Sequence, residues 1–447
     1  MEYHMLRKRS CLAAVMIAIC WQTISGETNT SLSFTDVLKI AADSSISIHL
    51  SQNQTLSRIA SARQANGSLL PSLSASASTS KRIPFRDDFS PPATADAGIS
   101  LSYSLSAKTF YDRNSTILGK EAAEASEQQT RDDILLRAAQ LFLNIVSTSS
   151  SIEVEDANLE YQKTQLEQVE AFYQSGRKSI SDVLQQKTFL SEAQSRVLRA
   201  QHARDLARME LYSLLGIPFT REISFNEDEV WNLSENINSD SSFTQADPQE
   251  IFEISSIEAQ KKSVLAAKES LRGAQLANLP SLGVSAGVSV DKTLSSTDRE
   301  IGGPDGRVGV SLSFPIFDRF QRSTSVTRAE IDLQSEQLRL EQLSRDAALA
   351  FQRAMLDWRS ARLQTGVVND RLTSAQQSLE AVKERYAAGA ATLTEVSSVN
   401  SQYLEARLSQ VEAQLQVVDS YLNILHKSGR ITTIIGSENE PEKGTVR

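Results

Sequence analysis

A long unit occurs twice in this chain of 447 residues, and that duplication constrains the fold more than any other feature. Leu70-Pro71-Ser72-Leu73 returns as Leu279-Pro280-Ser281-Leu282, and Tyr173-Gln174-Ser175-Gly176 returns as Tyr386-Ala387-Ala388-Gly389, at offsets of about 209 and 213 residues. Each copy reads as a helix, two Ser- and Gly-rich alternating runs, a very long helix, a glycine turn and a helix back. The expected division is a leader over 1–26, repeat one over 27–215 with a hairpin near 72–106, and a linking segment over 216–246. Repeat two then covers 247–427 with a hairpin near 281–317, and a tail covers 428–447.

Leu73, Ala75, Ala77 and Thr79 alternate with Ser72, Ser74, Ser76 and Ser78, and Ile99, Leu101, Tyr103 and Leu105 alternate with Ser100, Ser102, Ser104 and Ser106. A period of two means strand, with one apolar face and one small polar face. The second copy repeats the pattern in Leu282, Val284, Ala286, Val288 and Val290, then in Val308, Val310, Leu312 and Phe314. Runs of about 9 to 11 residues with this alternation suit strands that cross a bilayer with their apolar face to lipid. A soluble sandwich, or a Ser-rich linker over 72–80, is the plainer alternative, and four matching runs behind an export leader count against it. Four strands cannot enclose a water-filled lumen, and an open edge cannot face lipid with its backbone groups unpaired. Several chains must share one barrel: three copies give about twelve strands, whereas two give about eight, whose interior side chains would fill.

The helices are too long for an ordinary globular domain. From about Asn114 to Tyr173 only Gly119 interrupts the pattern, so a helix there spans on the order of 90 Å. The segments Thr35 to Asn66 and Ser179 to Leu215 span about 45 and 55 Å, so two short helices end to end match the long one. Arg322 to Tyr386 stands in the same relation to Asp247–Ala277 and Thr392–Lys427. Leu404, Val411, Val418 and Leu425, interleaved with Leu408, Leu415 and Leu422, keep a seven-residue spacing, and Ala193, Ala200 and Ala207 permit close approach, so the helices pair as coiled coils. Taken alone, they suit an exported coiled-coil structural or adhesive protein equally well.

At the turns, Gly176 and Gly389 can take positive φ, and Ser179 and Thr392 can cap the returning helices. Asp182 and Glu395 sit at equivalent places just beyond these turns, so threefold assembly would set about six carboxylates around one opening, a ring that favours cations. The plainer reading is that acids near a helix N-terminus favour its dipole. Arg177, Lys178 and Arg385 lie near enough in sequence to pair with them.

Arg7, Lys8 and Arg9 precede an apolar run from Cys11 to Trp21, and Thr23, Ser25 and Gly26 follow, the layout of a secretory signal cleaved near Ser25 or Gly26. A lipoprotein signal ending at Cys20 is disfavoured by Ile19, and the run is too short to favour a permanent anchor. Cys11 and Cys20 are the only cysteines, which excludes a disulfide framework in the exported body. A mean hydropathy of −0.28, with no long apolar stretch after residue 24, argues against a polytopic helical membrane protein. Lys and Arg number 46 against 55 Asp and Glu, with no clustered basic face, which disfavours nucleic acid. No phosphate loop, metal-ligand spacing or nucleophile arrangement stands out, so no catalytic residue, metal or cofactor is expected. Gly283-Val284-Ser285-Ala286-Gly287 has the G-x-S-x-G form, but Val288 and Val290 continue the strand alternation and leave no elbow. His49, His202 and His426 read as solvated or capping residues. Asp87 and Asp88, and Asp298 with Glu300 and Asp305, read as solvated loop charge.

In order and spacing these residues resemble the TolC-like outer-membrane efflux proteins, over nearly all of the exported chain from about Phe34 to Leu425. The likeness rests on Leu70-Pro71-Ser72-Leu73 and Leu279-Pro280-Ser281-Leu282, on Val310-Ser311-Leu312-Ser313-Phe314-Pro315-Ile316-Phe317-Asp318, on Leu214-Leu215-Gly216-Ile217-Pro218, and on Arg385-Tyr386-Ala387-Ala388-Gly389-Ala390-Ala391-Thr392-Leu393. It implies an α+β membrane protein in which a trimeric, roughly 12-stranded outer-membrane β-barrel, four strands per chain, continues into a long α-helical coiled-coil barrel across the periplasm. Pro71, Pro280 and Pro315 would mark the junctions of helix and barrel, and Phe219 to Ala246 with the chain termini would form a small mixed domain around the helices. By the same resemblance the chain would be a passive exit duct of a tripartite efflux or type I secretion system. Its partners would be two further copies, outer-membrane lipid, a periplasmic adaptor and an inner-membrane pump. The adaptor would dock at the tips that carry Tyr173, Gly176, Ser179, Tyr386, Gly389 and Thr392. Two departures stand out: the first hairpin exit, Ser104 to Asp112, lacks the proline of the second, and Ser398 replaces the second of two acidic residues the family often carries, leaving Glu395.

Overall fold

The computed structural model describes residues 31–81, 83, 93–219, 223–239, 254–294 and 303–435. The leader, the loop acids Asp87, Asp88, Asp298 and Glu300, and most of the tail lie outside these residues. In chain order the elements are β1 (Ser31–Leu32), α1 (Phe34–Ser44), α2 (Ile46–Gly67), β2 (Ser72–Ser80), β3 (Ala93–Leu105), α3 (Ala107–Gln174) and α4 (Ile180–Leu215). They continue with β4 (Ser224–Phe225), α5 (Asp228–Ser239), α6 (Ser255–Leu276), β5 (Ser281–Leu294), β6 (Asp305–Ser313), α7 (Gln321–Ala387), α8 (Leu393–Lys427) and a short 3-10 turn, Ile431–Ile435. Two compact units divide the chain, one drawn from Met1–Ile46, Asp132–Asp247 and Phe351–Arg447, the other from Ser47–Arg131 and Pro248–Ala350.

The second unit carries an antiparallel four-stranded sheet in the order β2-β3-β5-β6, so the two hairpins join through β3 and β5. Its register sorts the faces. Leu73, Leu101, Ala286 and Val308 fall in one row, while Ser74, Ser100, Gly287 and Arg307 fall in the next. On the small polar face the Ser72 and Ser102 hydroxyls meet at 2.7 Å and those of Ser74 and Ser100 at 2.9 Å. Glycine relieves crowding between strands: a Cβ on Gly98 would stand 3.1 Å from the Val288 carbonyl oxygen, and one on Gly287 3.3 Å from that of Ile99. β3 and β5 run 13 and 14 residues, longer than the alternation suggests. Ser285 pairs with Ser102 and Gly309 in mid-strand, so no nucleophile elbow exists there.

The two hairpins leave the sheet differently. After Leu105 the chain enters α3 almost at once, with the Thr109 amide bonded to the Ser106 hydroxyl at 3.3 Å. In the second copy β6 ends at Ser313, short of the expected hairpin limit at 317, because Pro315 has no N–H to give the ladder. Phe314 therefore lies beyond the strand. The following loop holds Arg319 at φ 56° and Phe320 at φ 65°, conformations that cost a non-glycine residue about 1 kcal/mol or more each. The Asp318 carboxylate accepts from the Arg322 amide at 2.9 Å and its Nε at 2.7 Å, which caps the start of α7.

In the first unit the opening helix is broken, where the sequence suggested one run from Thr35 to Asn66. Ser45 takes an extended conformation, φ −66° and ψ 128°, and its side chain is buried. A capping box of Ser33 and Asp36 starts α1, and Phe34, Val37, Leu38 and Ala41 form its buried face. Phe142 of α3 receives Phe34 edge-on at 5.4 Å between centroids and Phe225 at 5.8 Å, so β4 closes the same core. The Tyr212 hydroxyl accepts from the Ile223 amide and from Arg208, pinning that segment to α4. Of the expected seam on α8, Leu404, Leu415, Val418, Leu422 and Leu425 are buried while Leu408 and Val411 are half-buried; Ala406, Ala413, Val417 and Ile424 are buried as well, and α5 packs on this helix. His426 is buried rather than solvated, its Nε2 2.7 Å from Asp133.

Phe142→Ala should cost about 3–5 kcal/mol, read as a lower guanidinium midpoint of the detergent-solubilised protein, while half-exposed Phe110→Ala should cost under about 1 kcal/mol.

Candidate functional site

The residues picked out at the two turns gather at the ends of α3 and α7. Each long helix closes in the same way. The Arg177 amide reaches back to the Phe172 carbonyl at 2.8 Å and the Gly176 amide to Tyr173 at 2.9 Å; Ala390 and Gly389 do the same to Arg385 and Tyr386 at 2.8 and 3.0 Å. These are Schellman closures, and they need a left-handed residue. Gly176 and Gly389 supply it at φ 76°, and no atom lies within 4 Å of where a Cβ would stand, so backbone conformation and not crowding calls for glycine.

The returning helices begin on Ser179 and Thr392, whose hydroxyls accept from the Asp182 and Glu395 amides at 3.3 and 3.2 Å. From there the copies diverge. Asp182 turns back on its own cap, taking hydrogen bonds from the Ser179 amide at 2.9 Å and hydroxyl at 2.8 Å. These bonds, helped by the Lys178 charge, hold its carboxyl below the usual carboxylate range. Glu395 instead accepts from Arg385 at 2.7 Å, and the same guanidinium reaches the Ala390 carbonyl at 3.2 Å, stapling the turn. Arg177 and Lys178 make no ion pair with these acids. The Arg177 guanidinium sits 4.7 Å from the Phe172 ring centroid, and the Lys178 ammonium 4.3 Å from that of Tyr386. Gln185 donates to the Thr394 hydroxyl at 3.0 Å, which sets the first turns of α4 and α8 side by side.

The equivalent tyrosines differ. Tyr173 is 44% exposed, whereas Tyr386, placed among the tip residues by the sequence, is 7% exposed in a core with Leu379, Val382, Leu393 and Val396. Apolar partners contributed by both α7 and α8 draw it inward. Burial pushes the nearby Tyr161 hydroxyl up to about 12, reinforced by Tyr386, and burial also lowers Lys383, whose ammonium lies 4.3 Å from the Tyr161 ring centroid. The junction prolines lie elsewhere: Pro71 and Pro280 immediately precede β2 and β5, and Pro315 follows β6 by two residues.

Sequence reading missed a buried amide ladder beneath the tips. Asn400 of α8 donates to the Asn158 side-chain carbonyl at 3.0 Å, Gln162 donates to it at 3.4 Å, and Gln186 of α4 donates to Gln162 at 2.8 Å. All four residues are at most 5% exposed. Its one legible signal is the spacing of Asn158 and Gln162, four apart on one face of α3. Among the described residues no group of three or more His, Cys, Asp or Glu could hold a metal ion.

Because the native Asp182 carboxyl titrates low, its stabilisation is present above the unfolded carboxylate value and is lost as pH falls through the depressed native value. Hydrogen exchange at the first turn of α4 should stay protected until that acid range is entered, whereas Asp182→Ala should lose protection at every pH.

Comparison with known proteins agrees with this architecture. A channel structure from Campylobacter jejuni, the CmeC outer membrane channel, superposes with a TM-score of 0.77 at 16% identity, over 91% of this chain and 90% of that one. At such identity the likeness speaks for the fold alone. In sequence, the chain is 22% identical to the outer membrane efflux protein BepC of Brucella suis biovar 1 (strain 1330) over 76% of its own length and 73% of that protein. It is 21% identical to the outer membrane protein TolC of Escherichia coli (strain K12) over 71% of its length and 63% of TolC. The family described as outer membrane efflux protein matches twice, at residues 41–217 and 254–430, one match to each copy of the repeat. With well over half its residues matched, the chain belongs to the outer membrane efflux protein family.

Proposed function

We propose that this outer-membrane channel protein, which has no catalytic role, works as a passive exit duct made of three copies. The open sheet carries the reading. Leu73, Val310 and Leu312 expose 71%, 72% and 72% of their surface on its apolar face, and among the described residues β2 and β6 each have a neighbour on one side only. In lipid those edges must pair, and closure with two further copies gives about twelve strands around an aqueous lumen. The helices of the same copies carry exposed apolar side chains at coiled-coil spacing, Leu349, Leu356 and Leu363 on α7, which supports helical pairing between chains.

In this reading a periplasmic adaptor and an inner-membrane pump supply the energy, and the adaptor meets the tips that carry Tyr173, Gly176, Ser179, Gly389 and Thr392. Tyr386 serves from within, by shaping the tip. The system is one of tripartite efflux or type I secretion; growth of a deletion strain on a compound panel separates small-molecule from protein cargo. Asp182 and Glu395 surround the narrow periplasmic end, with Arg385 bracing Glu395.

The direct test is fractionation of cells that express the chain. It should appear in outer-membrane fractions as a detergent-resistant trimer; recovery in soluble fractions alone would sink the duct. In planar bilayers, Asp182→Asn with Glu395→Gln should lower cation preference and divalent block, and unchanged selectivity would place both side chains away from the lumen.

A further inference from the structure

The polar face of the sheet is built from small side chains with a single exception. Along β2 it carries serine alone, from Ser72 to Ser80, and along β3, β5 and β6 the described positions of this face are serine, glycine, threonine or aspartate apart from Arg307. Arg307 shares its row with Ser74, Ser100 and Gly287, so no neighbour in that row stands as tall. Its side chain is 83% exposed. The two copies differ here. At the spacing that carries Leu70 to Leu279, Asp96 corresponds to Asp305, but Gly98 corresponds to Arg307. Both copies hold the aspartate and one alone holds the guanidinium. On β3 a side chain at Gly98 would crowd the Val288 carbonyl oxygen, whereas β6 lies at the edge of the sheet and leaves room for one.

The charges around Arg307 are ordered along the strands. In the next row toward the loops Asp305 accepts from its guanidinium at 3.2 Å, and one row further Asp96 and Asp291 stand opposite each other on β3 and β5, with Ser78 donating to Asp96. Asp305 is itself 59% exposed, and an ion pair this open to water contributes little and breaks readily. In the proposed barrel β6 meets β2 of the next copy, whose polar face is all serine, so no carboxylate from the described residues of that strand comes across the join to hold the guanidinium. A planar fork of N–H donors is matched to carboxylate and phosphate groups, and here its holder is weak.

We propose that Arg307 is the selectivity residue of this wall: its guanidinium leaves Asp305 for the carboxylate or phosphate group of passing cargo, and so admits anionic cargo more readily than serine and aspartate alone would. The proposal rests on the reading above that the polar face lines the lumen. Exchanging one carboxylate for another changes little in energy, so the hold is brief, and Asp305 reclaims the guanidinium as the cargo leaves. Threefold assembly would set three such groups at one level, with serine on the helix side and aspartate on the loop side.

Planar bilayers that hold the trimer read the effect, with potassium chloride as the permeant salt and inorganic phosphate as the probe. Phosphate should partly block the current of the unsubstituted channel. Arg307→Gln should abolish that block and raise the potassium-to-chloride permeability ratio about twofold or more, because a fixed charge in a narrow lumen acts directly on passing ions. Asp305→Asn, which frees the guanidinium, should deepen the block and lower the ratio. Arg307→Lys keeps the charge without the fork, so it should hold the ratio while weakening the block, and it stands in should Arg307→Gln fail to give detergent-resistant trimers. A conducting channel that phosphate does not block, or whose block survives unchanged in these Arg307 variants, overturns the proposal and leaves the duct standing. If the unsubstituted trimer carries no current at all, the duct reading falls and the proposal falls with it.

Discussion

A peptide group with no partner costs several kcal/mol in hydrocarbon, and this chain brings a sheet with two unfinished edges. Much else in the proposed assembly depends on that deficit. One chain supplies an arc, since its repeats contribute one hairpin each and β3 pairs with β5 across the duplication. In the proposed trimer the missing neighbours of β2 and β6 come from identical chains, so the order of strands within one copy dictates the order around the whole. Side chains then follow from register: a slip by one residue would exchange the faces of Leu73, Leu101 and Ala286 and of the serines, which in the proposed barrel turns the apolar row into the lumen.

Duplication gave two turns of the same backbone form, and the differences between them are electrostatic. Both use a left-handed glycine and a hydroxyl cap. In the first, Asp182 spends its charge on the cap itself; in the second, Glu395 leaves the cap to Thr392 and takes Arg385. Lys178, whose charge still acts on Asp182, rests on the Tyr386 ring and so ties the first turn to the second copy's core. The carboxylates that look equivalent in sequence therefore carry different constraints, one self-satisfied and one tethered through a neighbouring helix.

Much of the fold was legible because its signals are long. Alternation over 72–80, 99–105, 282–290 and 308–312 gave the strands, and the positions of Gly176, Gly389, Ser179 and Thr392 gave the turns with their caps. What escaped depends on side chains meeting across helices. The Asn158–Gln162–Gln186–Asn400 ladder joins three helices, and nothing in the local spacing of Asn400 marks it as buried. Tyr386 resembles Tyr173 in its turn yet faces a core built by α7 and α8. His426 reads as polar helix surface until Asp133, far away in sequence, is brought to it. The further buried positions on α8, Ala406, Ala413, Val417 and Ile424, lie outside the heptad spacing, on a helix that also packs against α5. The break at Ser45 has no glycine or proline to announce it.

Serine and glycine alone fill the row Ser72, Ser102, Ser285 and Gly309 on the small polar face of the sheet, and Arg307 joins Ser74, Ser100 and Gly287 in the next. Hydroxyls of this kind both give and accept hydrogen bonds, and here several already satisfy one another across strands. A solute moving past such a wall exchanges one weak contact for another of the same worth. Along the row of Ser72, Ser102, Ser285 and Gly309 no side chain projects far enough to sort by shape, whereas Arg307 does so in the next row. In the proposed duct the row of serine and glycine would act as a lubricant, and discrimination among cargoes would fall to other parts of the path.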